Sequence, residues 1–284
     1  MKFQGLHKPT WVPFQWNYLR EMKTWVRLAV PGLLMVCAEW WNFEINIIVS
    51  GLLGADSLAA MALMYNMSTF LYTFPMSYSI SAVTITGNAV GAKDIPRAKH
   101  MSRLMIGMTT LTQLILAVTL FEFQDLWLQL FTDDETVTAI VKRVMPLLCV
   151  LFVFDATQTT LGGVLRGVGK QSIGAATYLF AYYVVGMGLG IPLALKTSLG
   201  IMGQWIGITS ASVFCCLILG TSYLCANWPK LVEEAEERLK DKQREASVDA
   251  GDVQVELDDL GWDPLDEDTT NPVVPLENSD SLPL

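Results

Sequence analysis

Three acidic side chains interrupt long apolar segments of the chain. Glu39 and Glu44 lie in MVCAEWWNFEINIIVSGLLG (35–54), and Asp155 lies in LFVFDATQTTLGG (151–163). Neither segment contains a Lys or Arg that could pair with them. An apolar environment favours the neutral form of a carboxyl group, so an acid held there can take up and release a proton. These residues predict proton exchange, and no residue pattern predicts a covalent catalytic step.

Helical spacing places polar neighbours beside two of these acids. Glu39, Asn42 and Asn46 follow at i, i+3 and i+7 and share one helix face. Asp155 and Gln158 share a face in the same way. Two interpretations stay open for both stripes: they line a polar cavity, or they hydrogen-bond neighbouring helices and hold a bundle together.

Glu44 and a set of aromatic residues complete the candidate site. Glu44 lies roughly 140° around a helix from Glu39, so it does not share the polar stripe. Aromatic side chains lie inside the apolar segments and not only at their ends: Trp40, Trp41, Tyr65, Tyr72, Tyr182 and Tyr183. Aromatic faces beside carboxylates suit an organic cation, although aromatic residues in such segments also serve packing.

The apolar residues form blocks that are long enough to cross a bilayer. The chain has 284 residues, 52% of them hydrophobic and 17% charged, with mean hydropathy +0.38. We identify six spans, at about 26–50, 58–87, 101–121, 144–164, 173–195 and 200–226. Glycines in GGVLRGVG and VVGMGLGIP predict close helix packing. The expected fold is an all-α, polytopic membrane protein with a bundle of six transmembrane helices.

Charge divides the chain into three predicted parts. A cytoplasmic N-terminal segment covers 1–25, and the transmembrane lobe covers 26–228. The remainder, 229–284, holds 17 Asp and Glu against 5 Lys and Arg, a composition that predicts a largely disordered cytoplasmic tail. Of the 19 Lys and Arg, 16 fall on the side that holds both termini. The positive-inside rule therefore predicts that both termini are cytoplasmic.

Several function classes lack support in the sequence. Outside the acidic tail there is no basic face of the kind that binds nucleic acid. Phosphate-binding loops and clusters of metal-ligand residues are absent, so we predict no metal, no cofactor and no ATP-driven step. An intramembrane aspartyl protease needs two catalytic Asp, and only Asp155 lies within a span. We therefore expect a protein that is not an enzyme.

Five longer motifs carry a resemblance to a known family. They are GLHKPTW (5–11), LAVPGLLMVCAEWWNFE (28–44), GNAVGAKD (87–94), GGVLRGVGKQSIGA (162–175) and YYVVGMGLGIPLAL (182–195). With them the chain resembles the multidrug and toxin extrusion (MATE) transporters, especially the animal branch, over about 5–228. Members of that family have twelve core spans in two six-helix lobes. This sequence resembles the second, C-terminal lobe only.

The resemblance implies an activity and a set of site residues. Family members export organic cations in exchange for H⁺, or for Na⁺ in some bacterial members. The residues that correspond to the family's functional acids and tyrosines are Glu39, Glu44, Asp155, Tyr65 and Tyr72. Two departures bear on substrate range. Asp155 stands where animal members usually carry Glu, and Phe43 stands where many carry Tyr.

Two functions follow as expectations. The first is proton-coupled export of organic cations from a multi-pass protein of the plasma membrane, with Na⁺ as the alternative coupling ion. In this case the chain acts as a half-transporter in contact with membrane lipid, and it pairs with an N-terminal lobe or associates with itself or a relative. The second is a non-transporting lobe that assembles with a full-length transporter and regulates it.

Overall fold

A computed structural model of the chain describes residues 18–237 and Lys240. Within this part, only the backbone is described for residues 18–21, 23–25, 27 and 28. Helices joined by short turns make up this described part, which contains no strand. In chain order they are α1 (Tyr18–Leu53), α2 (Ala55–Gly91), α3 (Ile95–Glu122), α4 (Gln124–Gln129), α5 (Glu135–Gly167), α6 (Gln171–Leu179), a π-helical segment (Phe180–Gly186), α7 (Met187–Lys196) and α8 (Ile201–Leu224). A further helical stretch begins at residue 228 and continues to 237.

Six long helical runs correspond to the six predicted spans. Because α6, the π-helical segment and α7 follow one another without a break, Gln171–Lys196 forms one run of 26 residues. Five runs in the described part of the chain are long and apolar enough to cross a membrane: Ala29–Leu53, Ile95–Glu122, Glu135–Gly167, Gln171–Lys196 and Ile201–Leu224. Their length confirms the all-α membrane architecture.

The remaining long helix, α2, is more polar than the other five. It has 37 residues, which is more than a span requires, but many of them are Ser, Thr or Asn. Several of these hydroxyl groups, such as Ser77 and Ser81, donate to the carbonyl one turn earlier in the same helix. Hydroxyl groups satisfied in this way are tolerated in a membrane helix. α2 packs along α5 and α3, inside the same bundle.

Local signals explain where the helices begin. Asp94 accepts a hydrogen bond from the backbone N–H of Arg97 at 3.0 Å and caps α3. Asp134 accepts from the backbone N–H groups of Thr136 and Val137 and caps α5. Side-chain oxygens at this position satisfy N–H groups that have no partner within the helix. The caps therefore determine where α3 and α5 begin after the turns that precede them.

Glycine contacts bring two pairs of helices close together. A Cβ atom on Gly163 of α5 would lie 2.5 Å from the carbonyl oxygen of Ser79 on α2. On Gly190 of α7, in the second motif, a Cβ would lie 3.2 Å from the Cα atom of Gly207 on α8. Without side chains at these positions, the backbones themselves make contact. The packing role predicted for the two glycine-rich motifs is confirmed.

The helical stretch after α8 closes one end of the lobe. Trp228, Leu231 and Val232 are buried there and pack with Val164 and Val168 of the α5 end. Lys170 forms an ion pair with Glu234 at 2.6 Å. The first of two compact units of the chain ends at Ala235, and the second begins at Glu236. Most of the acidic tail, including its predicted disorder, lies outside the described residues, as does the N-terminal motif at 5–11.

Candidate functional site

A cleft opens between four of the long helices, and we call it the acidic cleft. Its empty space, counted together with the open solvent at its mouth, is about 400 Å³. The helices α1, α2, α3 and α5 line it with Glu39, Trp40, Phe43, Tyr65, Ser68, Thr69, Tyr72, Gln113, Phe152 and Asp155. Tyr65, Thr69 and Tyr72 are spaced at i, i+4 and i+7, so one face of α2 forms one wall.

The acidic cleft holds two carboxyl groups that face each other. Glu39 from α1 is only 4% exposed, and Asp155 from α5 is half-buried. The two side chains lie within hydrogen-bonding range of each other. Two carboxylates at this separation repel each other strongly when both are ionised, so a proton shared between them stabilises the pair. The structure thus brings together two acids that are 116 positions apart in the sequence.

Two tyrosines hold the carboxylate of Glu39. The Tyr72 hydroxyl donates to Glu39 Oε2 at 3.3 Å, and the Tyr182 hydroxyl donates to Glu39 Oε1 at 3.3 Å. Tyr72 comes from α2, and Tyr182 comes from the π-helical segment, where it is fully buried. π-Helical turns often occur at functional sites because they change the direction of a side chain. Each oxygen of Glu39 therefore has one phenolic donor.

Gln158 and Ser212 hold the second acid. Gln158 Nε2 donates to Asp155 Oδ1 at 2.8 Å and to the Tyr182 hydroxyl oxygen at 2.6 Å. Ser212 from α8 donates to the same Asp155 oxygen at 3.5 Å. Because Gln158 donates to Tyr182, the phenolic hydrogen of Tyr182 is left for Glu39. One hydrogen-bond network thus connects the two acids through α5, α8 and the π-helical segment.

Aromatic rings form the apolar wall of the cleft. The Trp40 ring packs edge-to-face against Tyr72, with centroids 5.6 Å apart, and against Tyr65 at 6.3 Å. Phe43 lies 5.7 Å from Tyr65. An aromatic surface beside a carboxylate pair can hold both the apolar body and the charge of an organic cation. Of the two interpretations of the polar stripes, the one in which they line a cavity therefore holds for Glu39 and Asp155. The rings line the same cavity.

Six of the predicted site residues lie outside the cleft lining, and two of these, Gln158 and Tyr182, belong to the hydrogen-bond network of the two acids. Trp41 is 62% exposed on the outer surface of α1, and Tyr183 is half-buried near Cys37. Glu44 is exposed and lies within hydrogen-bonding range of Tyr65, so it reaches the rim of the cleft through that residue. Asn42 is fully buried away from the cleft.

The buried asparagines of α1 belong to a packing network. Asn46 Nδ2 donates to the Asn42 side chain at 3.2 Å, and Gln204 Nε2 of α8 donates to the carbonyl oxygen of Asn46 at 2.9 Å. Ser50 donates to Gln204 Oε1 at 2.7 Å. For this part of the polar stripe, the structure supports the interpretation that it holds helices together.

The sequence interpretation missed four polar residues of the site: Ser68, Thr69, Gln113 and Ser212. Gln113 is the one amide side chain in the apolar span 101–121, and an isolated amide in a membrane helix is itself a signal. Ser212 offers no such signal, because single serines are common in membrane helices. The described residues hold no group of three His, Cys, Asp or Glu that could bind a metal ion.

Known proteins share both the sequence and the fold of the lobe. The MatE family model matches residues 31–191. Multidrug and toxin extrusion protein 1 of Homo sapiens is 36% identical over 231 residues, which cover 81% of this chain and 40% of that protein. The protein of the same name from Xenopus tropicalis is 33% identical over 240 residues. The chain thus spans about 40% of the length of these relatives.

Solved structures agree with this relationship. The crystal structure of the eukaryotic MATE transporter AtDTX14 superposes with a TM-score of 0.75 at 30% identity, covering 80% of this chain and 51% of that one. A Vibrio cholerae MATE transporter with a TM-score of 0.70 and 20% identity shares the fold. The human relative is named as an extrusion protein, and AtDTX14 is named as a transporter. By sequence and by structure, the chain belongs to the MATE family of multidrug and toxin extrusion transporters.

Proposed function

We propose that this chain forms the acid-bearing lobe of an antiporter that exports organic cations in exchange for protons. The observation that carries the proposal is the pairing of Glu39 with Asp155 inside an aromatic cleft. A cation and a proton compete for the same negative charge. Binding of one releases the other, and this competition is the minimum that coupled exchange requires.

The network gives each step a physical basis. When both acids are ionised, the cleft attracts a cation, and the rings of Trp40 and Tyr72 contact its apolar part. When protons bind, the charge of the pair falls and the cation is released. Tyr182, which donates to Glu39, holds its carboxylate in the network that also contains Asp155.

The donors around Glu39 support H⁺ over Na⁺ as the coupling ion. Sodium binds to several oxygen atoms that offer free lone pairs. Here both oxygens of Glu39 already accept phenolic hydroxyls, and Asp155 Oδ1 accepts from Gln158 and Ser212. A proton, in contrast to sodium, needs only a single lone pair on one of the two acids.

The distribution of charge supports a cytoplasmic location for both termini. Described basic residues cluster at the end of the lobe with the α2–α3 and α5–α6 turns: Lys93, Arg97, Lys99, Arg103, Arg166 and Lys170. Lys142, Arg143 and Lys196 lie toward the other end. By the positive-inside rule the first end faces the cytoplasm. We place the protein in the plasma membrane, where export removes a cation from the cell.

A partner lobe is part of the proposal. Alternating access requires one helix bundle to move against another around a central site. The acidic cleft is lined from α1, α2, α3 and α5, and the chain covers about 40% of its full-length relatives. We therefore infer that a first lobe, or a second copy of this chain, supplies the facing wall. The second candidate function is a regulatory lobe that assembles with a full-length transporter.

The test neutralises each acid without changing its shape. The chain is co-expressed with the first six spans of a relative, and cation uptake driven by a pH gradient is measured in membrane vesicles. Glu39→Gln and Asp155→Asn should each reduce this uptake to background while the protein remains in the membrane, because a neutral amide relieves the cost of a buried charge. The matched control is Asp56→Asn, which neutralises an exposed acid at the start of α2 and should leave uptake unchanged.

The outcomes separate the two candidate functions. Proton-driven uptake that survives in both acid variants would make the pair a structural feature only. Stable pairing with a first lobe, but no uptake even for the unmodified chain, would favour the regulatory function instead.

A further inference from the structure

One residue that lines the acidic cleft, Gln113, has a hydrogen-bond acceptor without a partner among the described residues. The Ser68 hydroxyl donates to the carbonyl oxygen of Met64 at 2.8 Å. The Thr69 hydroxyl donates to the carbonyl oxygen of Tyr65 at 2.9 Å. Tyr72 donates to Glu39, and Asp155 accepts from Gln158 and Ser212. These lining groups therefore already have partners within the protein.

Gln113 differs from them. It projects from α3, lines the cleft and is only 2% exposed. Its Oε1 atom has no hydrogen-bond partner among the described residues. A buried amide oxygen without a partner is costly, and native proteins usually satisfy such groups with water or a ligand.

The chemistry of an amide determines which ligand would satisfy Gln113. A half-turn of the terminal torsion exchanges the oxygen and the nitrogen, so the oxygen can face the cleft. A carbonyl oxygen accepts hydrogen bonds, and an N–H group that carries positive charge is a strong donor. A quaternary ammonium ion has no N–H group. It would exclude water from the amide oxygen without donating a hydrogen bond in place of the water.

We propose that Gln113 is a specificity-determining residue that makes the acidic cleft prefer cations bearing N–H groups, such as primary ammonium and guanidinium ions, over quaternary ammonium ions. The inference rests on the proposed function, because it concerns the substrate of the same cleft. Glu39 and Asp155 attract any cation through charge, whereas the neutral amide distinguishes cations by their hydrogen-bond donors.

Binding is the sharpest test, because it does not require transport. The full chain is reconstituted in lipid nanodiscs together with the first six spans of a relative, and the Kd values of benzylammonium and benzyltrimethylammonium are measured by calorimetry. These two cations share a ring and a charge and differ in their N–H groups. In Gln113→Met the acceptor is lost at similar side-chain length, and the preference for benzylammonium should fall roughly tenfold. In Gln113→Glu an acceptor remains, so the preference should persist.

The control lies on the same helix. Thr119 is exposed on α3, outside the cleft, and its hydroxyl donates to the carbonyl oxygen of Ile115. Thr119→Val removes a hydroxyl group there and should leave both Kd values unchanged. Repeating the measurement at two pH values gives a second check. Protonation of the acids changes both affinities together, and the effect of Gln113→Met on their ratio should persist.

The failure of this inference differs from the failure of the proposed function. If both cations bind the unmodified chain and Gln113→Met leaves their Kd ratio unchanged, the role of Gln113 is wrong while the cation cleft stands. An unchanged preference in Gln113→Met together with a lost preference in Gln113→Glu would also contradict it. If neither cation binds the unmodified chain, the cation cleft itself is overturned, and this inference with it.

Discussion

At the scale of single residues, the site depends on how Glu39 and Asp155 are held. Asp155 has a shorter side chain than the Glu expected from the resemblance, yet it lies within hydrogen-bonding range of Glu39. Gln158 and Ser212 both donate to its Oδ1 atom, so its position is determined by α5 and α8 together. The other departure, Phe43, packs 6.2 Å from Trp205 and lines the cleft with an apolar ring.

Tyr182 is the residue through which the two acids are connected, and its hydroxyl group can be removed alone. Tyr182→Phe deletes the donor to Glu39 and the acceptor for Gln158. Since a hydrogen bond to a charged group contributes about 1.5–3 kcal/mol, we expect cation affinity to fall roughly tenfold or more. Calorimetric binding of benzylammonium measures this loss.

The neighbouring tyrosine supplies the control. Tyr183→Phe removes a hydroxyl that lies outside the network and should leave cation affinity unchanged. Equal losses in the two variants would show that the π-helical segment acts only through packing.

At the scale of helices, close packing of α2 against α5 positions the walls of the acidic cleft. The contact of Gly163 with Ser79 leaves no space for a side chain, and Ser79 also donates to the carbonyl oxygen of Thr159 at 2.7 Å. Tyr72 and Asp155 lie on these two helices, about two turns from that contact. The distance between them therefore depends on backbone contact and not on flexible side chains.

Gly163→Ala tests this contact. The added methyl group would meet a carbonyl oxygen at 2.5 Å, so α2 and α5 must separate, at a cost of about 1–3 kcal/mol. We expect a lower thermal unfolding temperature in detergent and weaker cation binding.

Gly107 of α3 is the matched control, because a Cβ there would meet no atom within 4 Å. Gly107→Ala should stabilise the helix by up to about 1 kcal/mol, since Ala loses less backbone entropy than Gly. Opposite shifts of the unfolding temperature in the two variants are therefore expected. A Gly163→Ala protein as stable as the unmodified chain would show that the helices tolerate separation.

At the scale of the whole molecule, the six long helical runs alternate in direction and carry most described basic residues at one end. This arrangement predicts a topology that labelling can measure. An epitope inserted in the α2–α3 turn, next to Lys93, should be inaccessible to antibody in intact cells, because we place that turn in the cytoplasm. An epitope beside Asp133, in the turn before α5, should be accessible.

Permeabilised cells provide the control, since both epitopes should then react. Accessibility of the α2–α3 epitope in intact cells would invert the orientation, and with it the proposed direction of cation export.

The amino-acid sequence alone determined the membrane architecture and most of the charged chemistry. Long apolar segments cross a bilayer wherever they occur, and an acid inside one is exceptional whatever surrounds it. Because both features are local, the six helices and the acids Glu39 and Asp155 were predicted without any tertiary information. Family motifs added the resemblance to one lobe of a larger transporter, and the lobe superposes on 51% of the AtDTX14 chain.

Only the tertiary structure decided which residues of the predicted set meet. Tyr182 and Tyr183 are adjacent in sequence, yet one joins the network and the other does not. Glu39 faces the cleft, whereas Glu44 reaches its rim, Gln204 of α8 donates to the carbonyl oxygen of Asn46, and Gln113 completes a wall that no motif predicted. The physical reason is that helical periodicity specifies relative angles within one helix, while the rotation and depth of each helix against its neighbours are set by long-range contacts such as that of Gly163 with Ser79.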